Sequence, residues 1–169
     1  MIIRDAQPSD HPDILALNEE SVRFLSPLSP ALLQSLHRSA AYFRVVEHAR
    51  GGRVAAFLLA LREGAPYGSP NYRWFAARYP RFLYIDRIVV AAAHQGTGLG
   101  QRLYQDILGS DQARSAERLA CEFDVEPPNQ RSARFHAGFG FREVGSQQVA
   151  GGTKRVSLQC VALPSHTGT

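Results

Sequence analysis

The sequence predicts a mixed α/β or α+β fold: a sheet with helices packed on it. Three observations carry that expectation. The length of 169 residues fits one domain with a single core. Strand-like runs and amphipathic stretches follow one another in the order β-α-α-β-β-β-α-β-α-β-β. Two pairs of strand-like runs flank glycine turns, "ARGGR" and the "GG" at 151 and 152, as β-hairpins do.

The elements follow in chain order. "MIIRDA" reads as a short first strand. "PSDHPDILALNEESVRFL" offers Ser9 or Asp10 as an N-cap and Pro12 in the first turn, with Ile14, Leu15, Leu17, Val22 and Leu25 at helical spacing. "SPALLQSLHRS" reads as a second helix, capped by Ser29 with Pro30 at its first position. "YFRVVEH" and "RVAAFLLALR" form the first hairpin. Residues 63–80, "EGAPYGSPNYRWFAARYP", show no clear period and read as a long connection. "RFLYIDRIVVA" is the next strand. A glycine stretch leads from it into a helix on which Leu99, Leu103 and Ile107 mark an apolar stripe. "RLACEFDV" is another strand, and "PPNQRSARFHAGFGF" a short helix capped by Asn129 and ending at Gly138 or Gly140. "REVGSQQVA" and "TKRVSLQCVAL" close the chain as a hairpin, and residues 164–169 read as a flexible tail.

Composition excludes several classes. With 44% apolar and 20% charged residues and no run of about 18 apolar ones, the chain reads as a soluble globular protein rather than a disordered or membrane-spanning one. The N-terminus lacks a basic segment followed by an apolar one, so a cytoplasmic location is expected. Cys121 and Cys160 sit in apolar runs without metal-ligand spacing and read as buried free thiols; no metal is expected. The net charge of +4 comes from scattered arginines without a basic block. That pattern suits an anionic small ligand as well as nucleic acid, and solvated surface best of all.

The stretch "AAAHQGTGLGQRLY", residues 91–104, is the strongest chemical signal. Amides at the start of a helix lack intrahelical partners and carry the positive end of the helix dipole, so they bind phosphate where no side chain blocks the approach. Gly96, Gly98 and Gly100 remove side chains there. A Walker A loop would need Lys after its glycines, and none follows. The dinucleotide fingerprint G-x-G-x-x-G fits poorly, although Glu122 lies about 20 residues onward as that pattern requires. A glycine-rich turn without a ligand is the plain alternative.

Two patterns together resemble the GNAT superfamily of acyl-CoA-dependent N-acetyltransferases. The first, [QR]-x-x-G-x-[GA], reads Gln95-Gly96-Thr97-Gly98-Leu99-Gly100, with Val90 ending the strand before it. The second, N-x-x-[SA]-x-x-[FL]-[YFH]-x-x-x-G-F, is matched by Asn129, Ser132, Phe135, His136, Gly140 and Phe141. The resemblance runs from Ile2 to Leu163. It implies a largely antiparallel sheet whose fourth and fifth strands splay apart to admit the pantetheine arm of acetyl-CoA, the cosubstrate. Ile88, Val89 and Val90 would bond that arm through the main chain, and the amides of Gly96 to Gly100, with Gln101 and Arg102, would hold the pyrophosphate. Asn129 would bond the arm or cap its helix, and Phe135 would line the groove. Departures are His94 and Gln95, where the family often has a basic residue beside the first glycine, His136 in the place of a frequent tyrosine, and Ala92 in the place of a proline.

The implied reaction is direct attack of an amine on the thioester in a ternary complex, with two protons to move. Asp86 shares strand parity with Tyr84, Ile88 and Val90, and a carboxylate inside an apolar strand is a base, half of a salt bridge, or a solvent-facing residue at a strand edge. Glu122 is the second candidate base, ahead of Asp124 and Glu126. His136 is the candidate acid toward the departing thiolate, or else a packed core histidine, and Tyr84 is an alternative hydroxyl. Acceptor choice in the family falls to the first helices and to the segment corresponding to residues 63–80. There Tyr67, Tyr72, Trp74, Phe75 and Tyr79 could cage an amine or simply cover the sheet, and Arg73, Arg78 and Arg81 could hold a carboxylate. Partners implied are acyl-CoA and a small amine, amino acid or peptide acceptor, with neither nucleic acid nor membrane. A homodimer would meet through the C-terminal hairpin. A noncatalytic acyl-CoA sensor is the rival reading.

Overall fold

A computed structural model describes residues 1–164 of the chain; all but the first residue of the expected tail lies outside them. Seven strands form one sheet: β1 (Ile2–Asp5), β2 (Tyr42–Glu47), β3 (Val54–Arg62), β4 (Phe82–Val90), β5 (Arg118–Glu126), β6 (Arg142–Val149) and β7 (Lys154–Ala162). Their order is β1-β2-β3-β4-β5-β7-β6. β1 with β2, β2 with β3, β5 with β7 and β6 with β7 pair antiparallel. β4 and β5 run parallel, joined through Phe82–Tyr84 and Arg118–Ala120. The expected mixed, largely antiparallel sheet is therefore present. Burial explains the sequence patterns: β3 is buried from Val54 to Leu61 and reads as an unbroken apolar run. β6, an edge strand, keeps the polar sequence "REVGSQQV" at solvent, which discourages pairing with other chains. Among the described residues no helix is long and apolar enough to cross a membrane.

The chain forms two compact units. The first comprises Met1–Leu61 and Ile85–Gln112. It contains α1 (His11–Glu20), α2 (Pro30–Ser39) and α4 (Leu99–Leu108). Asp10 stands at the N-cap of α1 but does not cap it with its side chain. Its carboxylate instead takes the fork of Arg4 at 2.8 Å and the amide of Gln7 at 2.7 Å, fastening the end of β1 to a 3-10 turn at Pro8–Asp10. The arginine holds the Asp10 pKa below its ordinary value. α1 ends at Glu20, so Val22 and Leu25, which the periodicity places on the helix, lie in the turn beyond it. α2 begins as expected, with the Ser29 hydroxyl accepting from the Leu32 amide at 3.1 Å.

The second unit comprises Arg62–Tyr84 and the chain from Ala113 onward. Its largest departure from expectation lies in residues 63–80, where α3 (Pro70–Ala76) replaces an irregular connection. Pro70 occupies a first-turn position, where its missing N–H costs nothing. Tyr72 and Phe75 are buried on this helix, and their rings meet Phe82 and Tyr84 with centroids 5.5–6.4 Å apart. The aromatics thus cover the sheet. The hydroxyl of Tyr72 donates to the Arg62 carbonyl and accepts from the Ala65 amide, which satisfies a polar atom that the packing buries. Arg78 lies over the Trp74 ring at 3.8 Å, and Arg81 donates to the Ser115 carbonyl. A short α5 spans Asp111–Arg114. α6 (Gln130–Gly138) and the β6–β7 hairpin follow as the sequence predicts. At Gly145, in a bulge of β6, the Trp74 indole occupies the space a Cβ would need. Cys121 and Cys160 are buried free thiols, and burial pushes Cys160 up to about 11.

Candidate functional site

The first unit holds the glycine loop. β4 ends at Val90, a 3-10 turn covers Ala92–His94, and α4 starts at Leu99 behind Gly98. The backbone of Gly96 and of Gly98 is left-handed, with φ of +79° and +85°, a conformation that side chains disfavour. A Cβ built at either position meets nothing within 4 Å, so open space lies where a ligand would approach. The first intrahelical bond, from the Arg102 amide to the Gly98 carbonyl, leaves the amides of Gly98 to Gln101 ahead of it without an i−4 partner. α4 has no side-chain cap and no acidic residue in its first turn. Donors, dipole and access together fit a diphosphate. Leu99 is buried and points its side chain into the core with Leu103 and Ile107, whereas Gly100 lies in the first helical turn.

Neighbouring groups brace the loop. The Gln95 amide nitrogen donates to the Val90 carbonyl at 3.4 Å, and the Thr97 hydroxyl donates to the His94 carbonyl. Arg102 reaches the Met1 carbonyl at 3.4 Å. His94 Nε2 lies 2.8 Å from His48 Nε2, one ring donating and the other accepting. The same turn lines a cleft of about 260 Å³ with Asp13, Glu20, His48 and Arg53. Its carboxylates serve the backbone: Asp13 accepts from the Val54 amide at 3.0 Å and Glu20 from the Ala92 amide at 3.3 Å. Further up β4, Asp86 falls on the same side of the strand as Ile88 and Val90, as its parity predicts. Its carboxylate accepts from Arg87 Nε at 2.7 Å, and both side chains are almost fully covered.

The second unit holds the other candidates. Tyr84, fully buried, donates its hydroxyl to the carboxylate of Glu122, 2.9 and 2.8 Å from the two oxygens. Glu122 lies two residues beyond the last β4–β5 pair, Tyr84 with Ala120, on the same face of β5 as its partner's neighbour. Asp124 is buried and pairs with Lys154 at 3.3 Å, and Glu126 is exposed beside Arg155. The side chain of Asn129 accepts from the Ser132 amide at 3.2 Å and so caps α6. Phe135 stands half-buried against Phe139 and the edge of His136.

His136 is buried among the rings of Phe123, Phe135 and Phe141, with centroids 5.2–5.6 Å away. Burial lowers its pKa, leaving the ring neutral at neutral pH. Its Nδ1 lies 2.7 Å from the Ser132 carbonyl, which can only accept, so Nδ1 carries the proton and Nε2 the lone pair. Donation to a leaving thiolate from Nε2 would therefore require an imidazolium that this environment disfavours. The sequence named the residue but could not name its tautomer. It also passed over Arg87, whose partner on β4 it did single out.

Comparison with known proteins follows the geometry. The family described as the Acetyltransferase (GNAT) family matches residues 11–141, well over half of the chain. The chain belongs to the GNAT acetyltransferase family. Its fold is shared by Ard1 from Thermoplasma volcanium, 17% identical, with a TM-score of 0.77 over 97% of this chain and 98% of that one. It is shared too by the putative acetyltransferase YncA of Salmonella typhimurium, solved with its cofactor acetyl-CoA, 18% identical, TM-score 0.72, over 100% and 97% of the two chains. A phosphinothricin N-acetyltransferase of Streptomyces coelicolor is 36% identical over 64 residues, 38% of this chain. The match spans 36% of that curated relative.

Proposed function

We propose that this GNAT chain transfers the acetyl group of acetyl-CoA to a primary amine of a small molecule, amino acid or peptide, by direct attack in a ternary complex. The observation that carries this reading is the open, left-handed Gly96–Gly98 loop ahead of uncapped α4, which suits the diphosphate of coenzyme A. Membership of the family supports the thioester as the reacting group. In this reading the main chain of Ile88, Val89 and Val90 binds the pantetheine arm, and a β4 amide polarises the thioester carbonyl.

The carboxylate of Glu122 accepts one proton from the incoming ammonium, directly or through water, freeing the nitrogen lone pair for attack on the carbonyl carbon. The Tyr84 hydroxyl fixes that carboxylate in place. As the C–N bond forms and the C–S bond breaks, the second nitrogen proton leaves to the departing sulfur or to solvent. Asp86, engaged with Arg87, holds the strand in this scheme rather than taking the proton. His136 packs α6 against the rings of Phe123 and Phe141.

The test is a screen of primary amines with acetyl-CoA, following release of the thiol. Acetylated product that requires both substrates supports the reading. Acetyl-CoA binding without turnover on any amine would replace it with a noncatalytic acyl-CoA sensor, and no binding would remove both.

A further inference from the structure

Within the second unit, the face of the sheet that α3 covers carries three arginines, none with a carboxylate partner among the described residues. Phe82 meets Tyr72 and Phe75 of α3, and Arg118 is its direct partner on β5, so Arg118 lies on that face. Arg142, on β6, shares it: Arg142 pairs with Cys160, which pairs with Ala120, two residues beyond Arg118. The Arg118 guanidinium lies 4.4 Å over the Tyr79 ring, and its Nε is covered without a hydrogen-bond partner. Arg78 lies 3.8 Å over the Trp74 indole and donates to the Trp74 carbonyl at 3.0 Å. The two rings stand 6.5 Å apart, so the stacked pairs form one surface. Carboxylates of this unit are engaged elsewhere: Glu63 with Arg62, Asp124 with Lys154, Glu126 with Arg155 and Glu122 with Tyr84. Glu143 takes the Ser157 hydroxyl on the opposite face, and Glu117, next to Arg118, falls on that opposite face by alternation.

We propose that this face docks an acidic peptide segment of another protein, its carboxylates seated on Arg78, Arg118 and Arg142. Charge complementarity calls for an anion. The stacking selects its kind, because a guanidinium laid on a ring turns its in-plane N–H edges outward, and those edges match the two oxygens of a carboxylate. Nucleobases would need open ring faces instead. Trp74 is held between Arg78 and the backbone at Gly145, and Tyr79 between Arg118 and Phe75, which stacks on it with centroids 6.3 Å apart. Neither ring offers a platform. None of the three arginines belongs to the glycine loop or to the proton path, so the inference stands whether or not the chain transfers acetyl groups.

The experiment titrates oligoglutamate, and separately a single-stranded oligonucleotide of equal charge, into the full chain, reading calorimetric heat and tryptophan emission. Trp74 is the single tryptophan of the chain, so its emission reports on the guanidinium stacked over it. Oligoglutamate is expected to bind, to change that emission, and to bind more weakly as salt rises. Arg78→Gln and Arg142→Gln, both at exposed positions, each lower its affinity by about fivefold with unchanged melting. Arg78→Lys lowers it too, because a point charge does not present the fork. Arg38→Gln removes the same charge from an exposed position of α2, in the first unit, and leaves the affinity within about twofold of wild type. Equal weakening in Arg38→Gln overturns the proposal, since net charge alone would then account for binding. Oligoglutamate that does not bind, or that binds both face variants as tightly as wild type, overturns it as well. Tighter binding of the oligonucleotide, lost in the same face variants, overturns it in favour of a nucleic acid.

Discussion

Gly98 and Gly145 lie in different units and are glycines for opposite reasons. At Gly98 the backbone is left-handed and the space beyond Cα is open. At Gly145 the backbone lies outside the left-handed region, but the indole of Trp74 fills the space. The first glycine leaves a surface open; the second makes room for a neighbour. A glycine in a sequence therefore carries little meaning until the occupant of its missing Cβ is known. Here the loop of the first unit leaves open space, whereas the aromatic layer of the second is filled by packing.

Four substitutions or conditions sharpen that contrast. The largest effect is expected on chemistry: Glu122→Gln removes the proposed base and lowers turnover by about 10²- to 10⁴-fold, measured by thiol release, with acetyl-CoA affinity unchanged. An unchanged rate would move the base elsewhere. Next, Gly98→Asp places a carboxylate where a diphosphate is expected, and acetyl-CoA affinity falls by at least about tenfold, equivalent to about 1.4 kcal/mol. Asp tolerates left-handed backbone better than most residues, so melting should fall little by comparison.

Gly145→Ala reverses the pattern. Overpacking against Trp74 is expected to cost about 1–3 kcal/mol and to lower the melting temperature by several degrees, without weakening acetyl-CoA binding. A variant that melts normally would show that the indole moves aside cheaply. The smallest effect concerns pH. The folded-state pKa of His136 is lowered, so above the ordinary histidine value both folded and unfolded states leave it neutral. Below about 6.5 the unfolded chain takes up the proton first, and stability falls as the pH drops further. Urea midpoints between pH 7.5 and 5.5 should show that decline, and His136→Phe should lessen it; His11, whose pKa is also lowered, contributes in the same direction. An identical decline in the variant would detach His136 from it.

Much of this was legible because it is local. Ser29 and Asn129 cap helices as their sequence positions foretell, and the glycine loop announces itself by spacing. α3 was not legible, because a seven-residue helix gives Tyr72 and Phe75 too few turns to establish a period. Tyr84 and Glu122 were each named from the sequence, but their hydrogen bond depends on the β4–β5 register, which sequence spacing does not fix. The partners of Arg87 lie 61 and 69 positions away, on α1 and the turn after it, and the Asp86 beside it drew the attention. The tautomer of His136 rests on one backbone carbonyl.

The most direct measurement is calorimetric titration of acetyl-CoA into wild type and Gly98→Asp. Micromolar binding to wild type that is lost in the variant is the expected result, and it would put the diphosphate on the glycine loop. Absence of binding to wild type, or equal affinity in the two proteins, would contradict a diphosphate site at that loop.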